Sequence, residues 1–346
     1  MKDPIAKCIK KNWDAIAKPL DSMGKFESII CQIGSVLGTT EPVLDSKGML
    51  VFCADNGVVE EGISQSGQEV TAAVTRGMGK NETSVGRMAT SLGVKVFPVD
   101  IGVNSTEEFP GVRGEKIAFG TRNFAKEPAM TMDETLRAIE VGKKMVEECK
   151  EQGYQILGIG EMGIGNTTTS SAIAAALLGC DPDLVVGRGA GLDNERLQKK
   201  RNVVREALER YGIRQNLSGT DPLYVLSCVG GLDIAGMVGA CLGGAKAGIP
   251  IVLDGVISQV AALVATRMEP ETRNCLIASH ASKEPASRLI LEELQLSPVI
   301  DAGMALGEGC GAVMLFPLLD LALEVYRQNR TFADIEIEAY HRWDEG

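Results

Sequence analysis

One glutamate stands in a glycine-rich loop where a carboxylate could handle protons. Glu308 lies in Met304-Ala-Leu-Gly-Glu-Gly-Cys-Gly-Ala-Val313, between Gly307 and Gly309, where an apolar helical stretch opens. Neighbours without side chains leave that carboxylate unscreened and the backbone free to bend. A glutamate in a small, partly apolar pocket has its pKa raised toward the range of a general base, and a capping or surface glutamate is the plainer alternative. A second glycine-rich loop lies inside the segment Tyr154 to Gly179. That segment reads as strand, tight glycine loop, polar cap, then an alanine-rich helix closed by Gly179. Thr167 and Thr168 are its expected caps, and the free N–H groups and positive dipole end of such a helix suit a phosphate.

The same segment holds Gly158, Gly160 and Gly163 at the spacing of a dinucleotide fingerprint, which is weak evidence alone. A nicotinamide dehydrogenase needs an acid closing the next strand about 20 residues on. The corresponding stretch, Asp181-Pro-Asp-Leu-Val-Val-Gly-Arg188, has none. A third loop, Val186-Gly-Arg-Gly-Ala-Gly-Leu-Asp193, leads into a helix with Lys199, Lys200 and Arg201, either a solvated face or a phosphate contact. Ile251-Val-Leu-Asp-Gly-Val-Ile-Ser258 faintly resembles a phosphoribosyl-pyrophosphate loop. It carries only Asp254 of the usual paired acids, which argues against a pyrophosphate donor.

Composition narrows the partners. With a net charge of −11 and 4% aromatic residues, the chain lacks both the basic surface and the stacking platforms of a nucleic-acid binder. Two histidines, His280 and His341, leave no multi-histidine metal site, and no metal or cofactor is expected. The nine cysteines form no C-x-x-C pair and read as buried reduced thiols. The opening Met-Lys-Asp-Pro-Ile-Ala-Lys lacks a signal-peptide core, and the most apolar region, Val225 to Ala265, is broken by Asp233, Lys246 and Asp254. No segment reaches the roughly 20 apolar residues of a membrane helix, so a cytoplasmic protein is expected.

These loops require a scaffold that presents strand ends. Short β-branched runs at Met49–Ala54, Val94–Val99, Tyr154–Gly160, Ile249–Leu253 and Cys275–Ser279 alternate with helical stretches. The helical stretches are Glu69–Leu92, Met132–Gln152, Thr167–Leu178, Asn194–Tyr211 and Gly309–Arg327. That alternation predicts an α/β fold, a parallel sheet covered by helices on both faces. In such sheets ligands bind beyond the strand C-termini.

Taken in order, the motifs resemble the nicotinate-nucleotide–dimethylbenzimidazole phosphoribosyltransferase family of cobalamin lower-ligand biosynthesis. They run from Lys18-Pro-Leu-Asp-Ser-Met-Gly24 and Ala54-Asp-Asn-Gly-Val58 through Glu161-Met-Gly-Ile-Gly-Asn-Thr-Thr168 and Gly187-Arg-Gly-Ala-Gly191. Asp254-Gly255, Ser279-His-Ala-Ser-Lys-Glu284 and Leu306-Gly-Glu-Gly-Cys-Gly-Ala312 complete the series over most of the chain. The resemblance implies Glu308 as catalytic base and Glu161 as a second active-site glutamate. It implies a phosphate and nucleotide cradle at Gly163, Ile164, Gly165, Asn166 and Thr167, with Lys200 and the glycines Gly187, Gly189 and Gly191. A base pocket at Ser66 and Leu306 is implied as well, the match around Ser66 being poor. Nicotinate mononucleotide and a benzimidazole-type base are the implied substrates.

A Rossmann-like large domain (41–327), a small helical domain from both termini (1–40 and 328–346), and a homodimer are further implications. Asn56 stands where many members have His, Asp21 where Gly is common, and Ala305 where Arg often precedes the Leu-Gly-Glu-Gly run. These departures bear on substrate choice rather than reaction type. Two other readings stay open from sequence: an oxidoreductase using Gly158, Gly160 and Gly163, and a non-catalytic carrier of small phosphorylated ligands.

Overall fold

The computed structural model describes residues 3–213 and 221–343; residues 1, 2 and 344–346 of the expected terminal domain lie outside the described residues. Six parallel strands form one sheet: β1 (Lys47–Ala54), β2 (Lys95–Gly102), β3 (Arg113–Gly114), β4 (Ile156–Met162), β5 (Ile251–Leu253) and β6 (Leu276–Ala278). Their order is β3-β2-β1-β4-β5-β6. The chain moves outward in one direction from β1 to β3 and in the other from β4 to β6. The crevice beyond β1 and β4 is therefore the topological switch point, where such sheets bind ligands.

Both faces of the sheet are buried. Along β1, Leu50, Phe52 and Ala54 enter one core while Met49, Val51 and Cys53 enter the other, the period of two that a strand imposes. Four helices close one side early in the chain: α1 (Pro4–Ala15), α2 (Lys25–Leu37), α3 (Glu69–Gly79) and α4 (Ser84–Ser91). Then come α5 (Met132–Glu151), α6 (Asn166–Leu178), α7 (Pro182–Val185), α8 (Asn194–Arg210) and α9 (Pro222–Val229). The chain ends with α10 (Leu232–Ala247), α11 (Val256–Met268), α12 (Ala286–Glu293) and α13 (Cys310–Gln328). Among the described residues no helix is long and apolar enough to cross a membrane.

The α/β class and the five sequence-read strands are found, with ends displaced by up to three residues. One expected helix is two. The Glu69–Leu92 stretch breaks at Lys80–Thr83, where Asn81 takes a left-handed φ of 55° and Thr83 caps α4 through the Gly86 N–H. The apolar Val225–Ala265 region becomes α9, α10, β5 and most of α11. Its lack of periodicity has a physical cause: α10 is buried on nearly every side, so it needs no polar face.

That burial depends on backbone contact. A Cβ on Gly142 of α5 would lie 1.9 Å from the Gly236 carbonyl oxygen, and one on Gly239 of α10 would lie 1.9 Å from the Ile139 carbonyl oxygen. Only glycine permits this crossing. The two ends of the chain are joined as well: Phe332 N–H donates to the Ala15 carbonyl at 2.9 Å, and Arg342 grips Asp14 at 2.7 Å. Glu27, buried nearby, receives Lys10 at 2.7 Å and Lys18 at 2.5 Å.

Gly239→Val should lower unfolding free energy by at least the ~1–3 kcal/mol typical of overpacking. Gly114→Ala, whose new Cβ meets nothing within 4 Å, is the matched control. Urea midpoints of the two variants check this; equal midpoints would show that the α5–α10 crossing has slack.

Candidate active site

Strand ends and helix starts converge on a cleft of about 300 Å³. It is lined from β4 by Gly160, Glu161 and Met162, from the following turn by Gly163, Ile164, Asn166 and Thr167, and after β5 by Asp254 through Ser258. His280, Ser282 and Glu284 line it beyond β6, and Ala305 through Glu308 close it ahead of α13. A smaller hollow of about 80 Å³ shares Gly163, Ile164, Asn166, Thr167, Gly189 and Ala190 with the cleft and adds Gly165, Arg188 and Lys200.

Glu308 is held in an unusual backbone. Gly307, Glu308 and Gly309 have φ of 82°, 61° and 92°, three left-handed residues in a row. A non-glycine residue there costs free energy, and such strain persists where the surroundings over-determine it. Two contacts do so. The Gly309 and Gly311 N–H groups donate to the two oxygens of Asp254 at 3.1 and 2.6 Å, fixing the start of α13 to the end of β5. Glu308 Oε2 in turn accepts the Val85 N–H at 3.1 Å, in the first turn of α4. The loop also presses on β4, since a Cβ on Gly160 would lie 2.5 Å from the Gly309 nitrogen.

Glu161 is 7% exposed at the end of β4, and the Asn166 amide donates to its Oε2. Burial, and then the neighbouring Asp233, Asp254 and Glu308 carboxylates, push its pKa well above the ordinary carboxylate range. Asp254 is raised by burial against the opposing pull of His280, whose Nδ1 lies 3.9 Å away, and burial lowers His280. Ser279 Oγ sits 3.1 Å from the same ring nitrogen.

The glycine turn opens α6 differently from the sequence expectation. Thr167 and Thr168 lie inside the first helical turn, and the N-cap is Gly165 at φ 97° with no side-chain cap bond. A Cβ on Gly165 would meet Val59 Cγ2 at 2.8 Å, so space as well as conformation selects glycine there. Lys200 is not on a solvated face. It is 1% exposed, and its Nζ donates to Thr167 Oγ1 at 2.9 Å and to the Gly187 carbonyl at 3.2 Å. Burial, partly offset by Glu284, lowers its pKa to about 8. Gly189 (φ 52°) and Gly191 (φ 107°) shape the opposite wall, where the Gly189 N–H donates to Glu284 Oε1 at 3.0 Å.

The cleft and its annex thus bring together Glu161, Gly163 through Thr167, Gly189, Lys200, Leu306 and Glu308. Gly187 touches the annex through its carbonyl, and Gln65 Nε2 donates to the Gly191 carbonyl. Ser66 lines neither hollow; its loop neighbours Ile63, Ser64 and Gln65 line the annex instead. Of the departures noted from sequence, Ala305 lines the cleft, Asn56 is buried under the glycine turn, and Asp21 pairs with Lys10 and Arg342.

Sequence reasoning assigned no role to Val74, Met162, His280, Ser282 or Glu284, all of which line the cleft. The last three follow the end of β6, a position that could have marked them. Gly158 and Gly160 lie within β4, where a Cβ on Gly158 would meet Met49 Sδ at 2.6 Å and Ala312 Cβ at 3.1 Å. They let α13 pack on the sheet, and the spacing is not a dinucleotide turn.

Known proteins resemble this one throughout. A family profile described as "Phosphoribosyltransferase" matches residues 1–337. The nicotinate-nucleotide–dimethylbenzimidazole phosphoribosyltransferase of Acetivibrio thermocellus is 44% identical over 332 residues, covering 96% of this chain and 93% of that protein. The enzyme of the same name from Clostridium acetobutylicum is 43% identical over 332 residues, again covering 96% and 93%. The crystal structure of CobT from Thermus thermophilus superposes with a TM-score of 0.90 at 36% identity, covering 96% of this chain and 99% of that one. The chain belongs to the nicotinate-nucleotide–dimethylbenzimidazole phosphoribosyltransferase family.

Proposed function

We propose that this protein moves the 5-phosphoribosyl group of nicotinate mononucleotide to 5,6-dimethylbenzimidazole or a related base, releasing nicotinate and α-ribazole 5′-phosphate. The observation that carries the reading is the division of one continuous site. Its cation, Lys200, sits in the small hollow at the start of α6, and its two glutamates face the larger cleft a few residues away. A nucleotide with one phosphate has that same division.

The chemistry needs little from the protein. The pyridine nitrogen of nicotinate mononucleotide is positively charged, so nicotinate departs without a general acid. The sugar passes through an oxocarbenium-like state, as in glycoside hydrolysis. Attack through the neutral ring nitrogen makes the benzimidazole cationic, and the ring is neutral again only when its partner N–H gives up a proton. Burial pushes Glu161 toward its protonated form, and Glu308, set in the cleft wall by its glycine loop and the Val85 N–H, is the base that receives the proton. Single displacement inverts the β-nucleotide to an α-riboside. The phosphate rests at Gly163 through Thr167, Gly187, Gly189, Gly191 and Lys200, and the base lies against Leu306. Ser66 reaches the base only if its loop shifts. The protein works as a cytoplasmic homodimer on these small molecules, without metal or cofactor, and segments 1–40 and 328–346 together supply a small helical domain.

Incubation with nicotinate mononucleotide and dimethylbenzimidazole, with detection of nicotinate, tests the reading; binding without turnover would make the protein a carrier. Glu308→Gln should bind nucleotide normally and slow single-turnover release by roughly 10²–10⁴-fold, the range of a positioned proton acceptor. A rate within about threefold of wild type would move the role to Glu161.

Lys200→Ala should raise the nucleotide Michaelis constant by about 10- to 100-fold, the weight of a charge-assisted contact, with a smaller effect on turnover. Because the Lys200 pKa is lowered to about 8, wild-type affinity should fall as pH rises through that value, and the variant should lack this fall.

Activity should survive exhaustive chelation. Among the described residues the one acidic cluster with cation-site spacing, Asp14, Asp21 and Glu27, is already neutralised by Lys10, Lys18 and Arg342. Loss with EDTA that a divalent ion restores would refute the metal-free mechanism.

A further inference from the structure

His280 lines the cleft, is 3% exposed, and has no part in the reaction as proposed. Its segment is pinned from behind. The buried Gln259 amide donates to the His280 carbonyl at 3.1 Å, and the other end of that amide accepts the Ser287 hydroxyl at 2.7 Å. Ser287 Oγ in turn accepts the Ser282 N–H at 3.1 Å. The ring itself has two distinct edges. Nδ1 is turned to the start of α13, where a Cβ on Gly311 would lie 2.0 Å from it. Nε2 is turned to Gly255, which also lines the cleft and whose Cβ would lie 3.5 Å away.

The surroundings of Nδ1 assign the tautomer. Burial lowers the pKa of the ring, so at neutral pH one nitrogen carries a hydrogen and the other a lone pair. The Ser279 hydroxyl donates to the Asp254 carbonyl at 3.3 Å, which leaves its oxygen to accept, and that oxygen stands 3.1 Å from Nδ1. Asp254 Oδ1 lies on the same side at 3.9 Å, and both oxygens of that carboxylate are engaged as acceptors. The opposite tautomer would set a lone pair against Oδ1 and draw the Ser279 hydrogen away from the carbonyl. The hydrogen therefore sits on Nδ1, and Nε2 is bare. Among the described residues Nε2 has no hydrogen-bond partner, yet solvent still reaches it, unlike the sealed side-chain oxygens of Asn56 and Asp233. An acceptor so placed needs a donor from whatever fills the cleft.

The two substrates offer few donors. Dimethylbenzimidazole has one N–H, which Glu308 takes. In nicotinate mononucleotide the pyridinium nitrogen has no hydrogen, and the carboxylate and phosphate accept. Only the 2′ and 3′ hydroxyls of the ribose remain. We infer that His280 is a ribose-binding residue: its bare Nε2 accepts the hydrogen of a ribose hydroxyl of the nucleotide. Position favours the 2′ hydroxyl. The His280 ring and the Glu308 loop both lie against the Asp254 carboxylate, and the 2′ carbon adjoins the carbon under attack. A hydrogen bond to that hydroxyl strengthens as positive charge develops on the sugar.

His280 has this role only if nicotinate mononucleotide is the substrate, and the test separates the two. kcat/KM is measured for the nucleotide and for its 2′-deoxy and 3′-deoxy forms, in wild type and in His280→Asn. The shorter amide can still offer an N–H to Ser279, while nothing stands at Nε2. The intrinsic reactivity of each deoxy form is common to both proteins and cancels in the ratio. Wild type should prefer the full nucleotide over one deoxy form about fivefold more strongly than the variant does, the weight of one hydrogen bond. Equal preferences in the two proteins for both deoxy forms overturn the inference. So does a variant in which only the Michaelis constant for dimethylbenzimidazole rises, since Nε2 would then face the base. If wild type turns over none of the three nucleotides, the substrate reading fails and the role of His280 falls with it.

If His280→Asn does not fold, nitrogen NMR of isotope-labelled histidine reads wild type alone, in a chain with two histidines. His280 should show Nδ1 protonated and Nε2 bare, and the Nε2 signal should move on adding the nucleotide and less on adding one deoxy form. A protonated Nε2, or the same movement with all three nucleotides, refutes the contact.

Discussion

Asp254 accepting the Gly309 and Gly311 N–H groups is the contact on which the rest of the site hangs. It joins the end of a three-residue strand directly to the start of a 19-residue helix. A carboxylate at a helix N-terminus is favoured by the unpaired N–H groups and by the dipole. Here that preference sets the position of the residue just before the helix. Glu308 is carried in a left-handed conformation that its own backbone would avoid, and it reaches the first turn of α4 from there. Asp254, β4 and α4 together fix a side chain that sits in a loop by sequence and in a frame by geometry.

The price of this arrangement is a concentration of negative charge. Glu161, Asp233, Asp254 and Glu308 act on one another at the ends of β4 and β5 and the start of α10, and among the described residues no arginine or lysine is paired with any of them. Protons and backbone N–H groups do the neutralising instead. Lysine is kept to the other end of the site, where Lys200 is buried with only Thr167 and a carbonyl as hydrogen-bond partners among the described residues. A cation placed among the carboxylates would pair with them and hold them ionised. Segregation leaves the acids without a cation to hold them ionised, and the cation with no carboxylate ion-paired to it among the described residues.

The fold class was legible because parallel strands buried on both faces announce themselves as short β-branched runs, and the glycine turn after β4 because tight turns need glycine. Glu308 stood out for the same reason, as an acid between two glycines, whereas Glu161, buried at the end of β4, was marked only by the family resemblance. α10 and α11 were harder to read, since a helix buried all round has no periodicity to show. The α3–α4 break was masked by two helices of similar composition separated by four residues. Lys200 shows the limit most sharply. Its neighbours Lys199 and Arg201 make it look like one of three surface cations, and only the packing of α8 against α6 turns it inward. Asp254 and Asn56 looked minor because their partners lie 55 or more residues away in sequence.

The glycine-to-carbonyl crossing of α5 and α10 also has a mechanical meaning. Helices spaced by side chains can slide past one another by small rotamer adjustments, whereas backbones in contact have no such play. α10 is therefore a fixed post, and Asp233 at its head is a fixed point under the glycine turn after β4. Shear of α10 against α5 is thus closed off as a way for the cleft to widen. Gly189 and Gly307, both left-handed in backbone, lie instead in the loops that line the cleft.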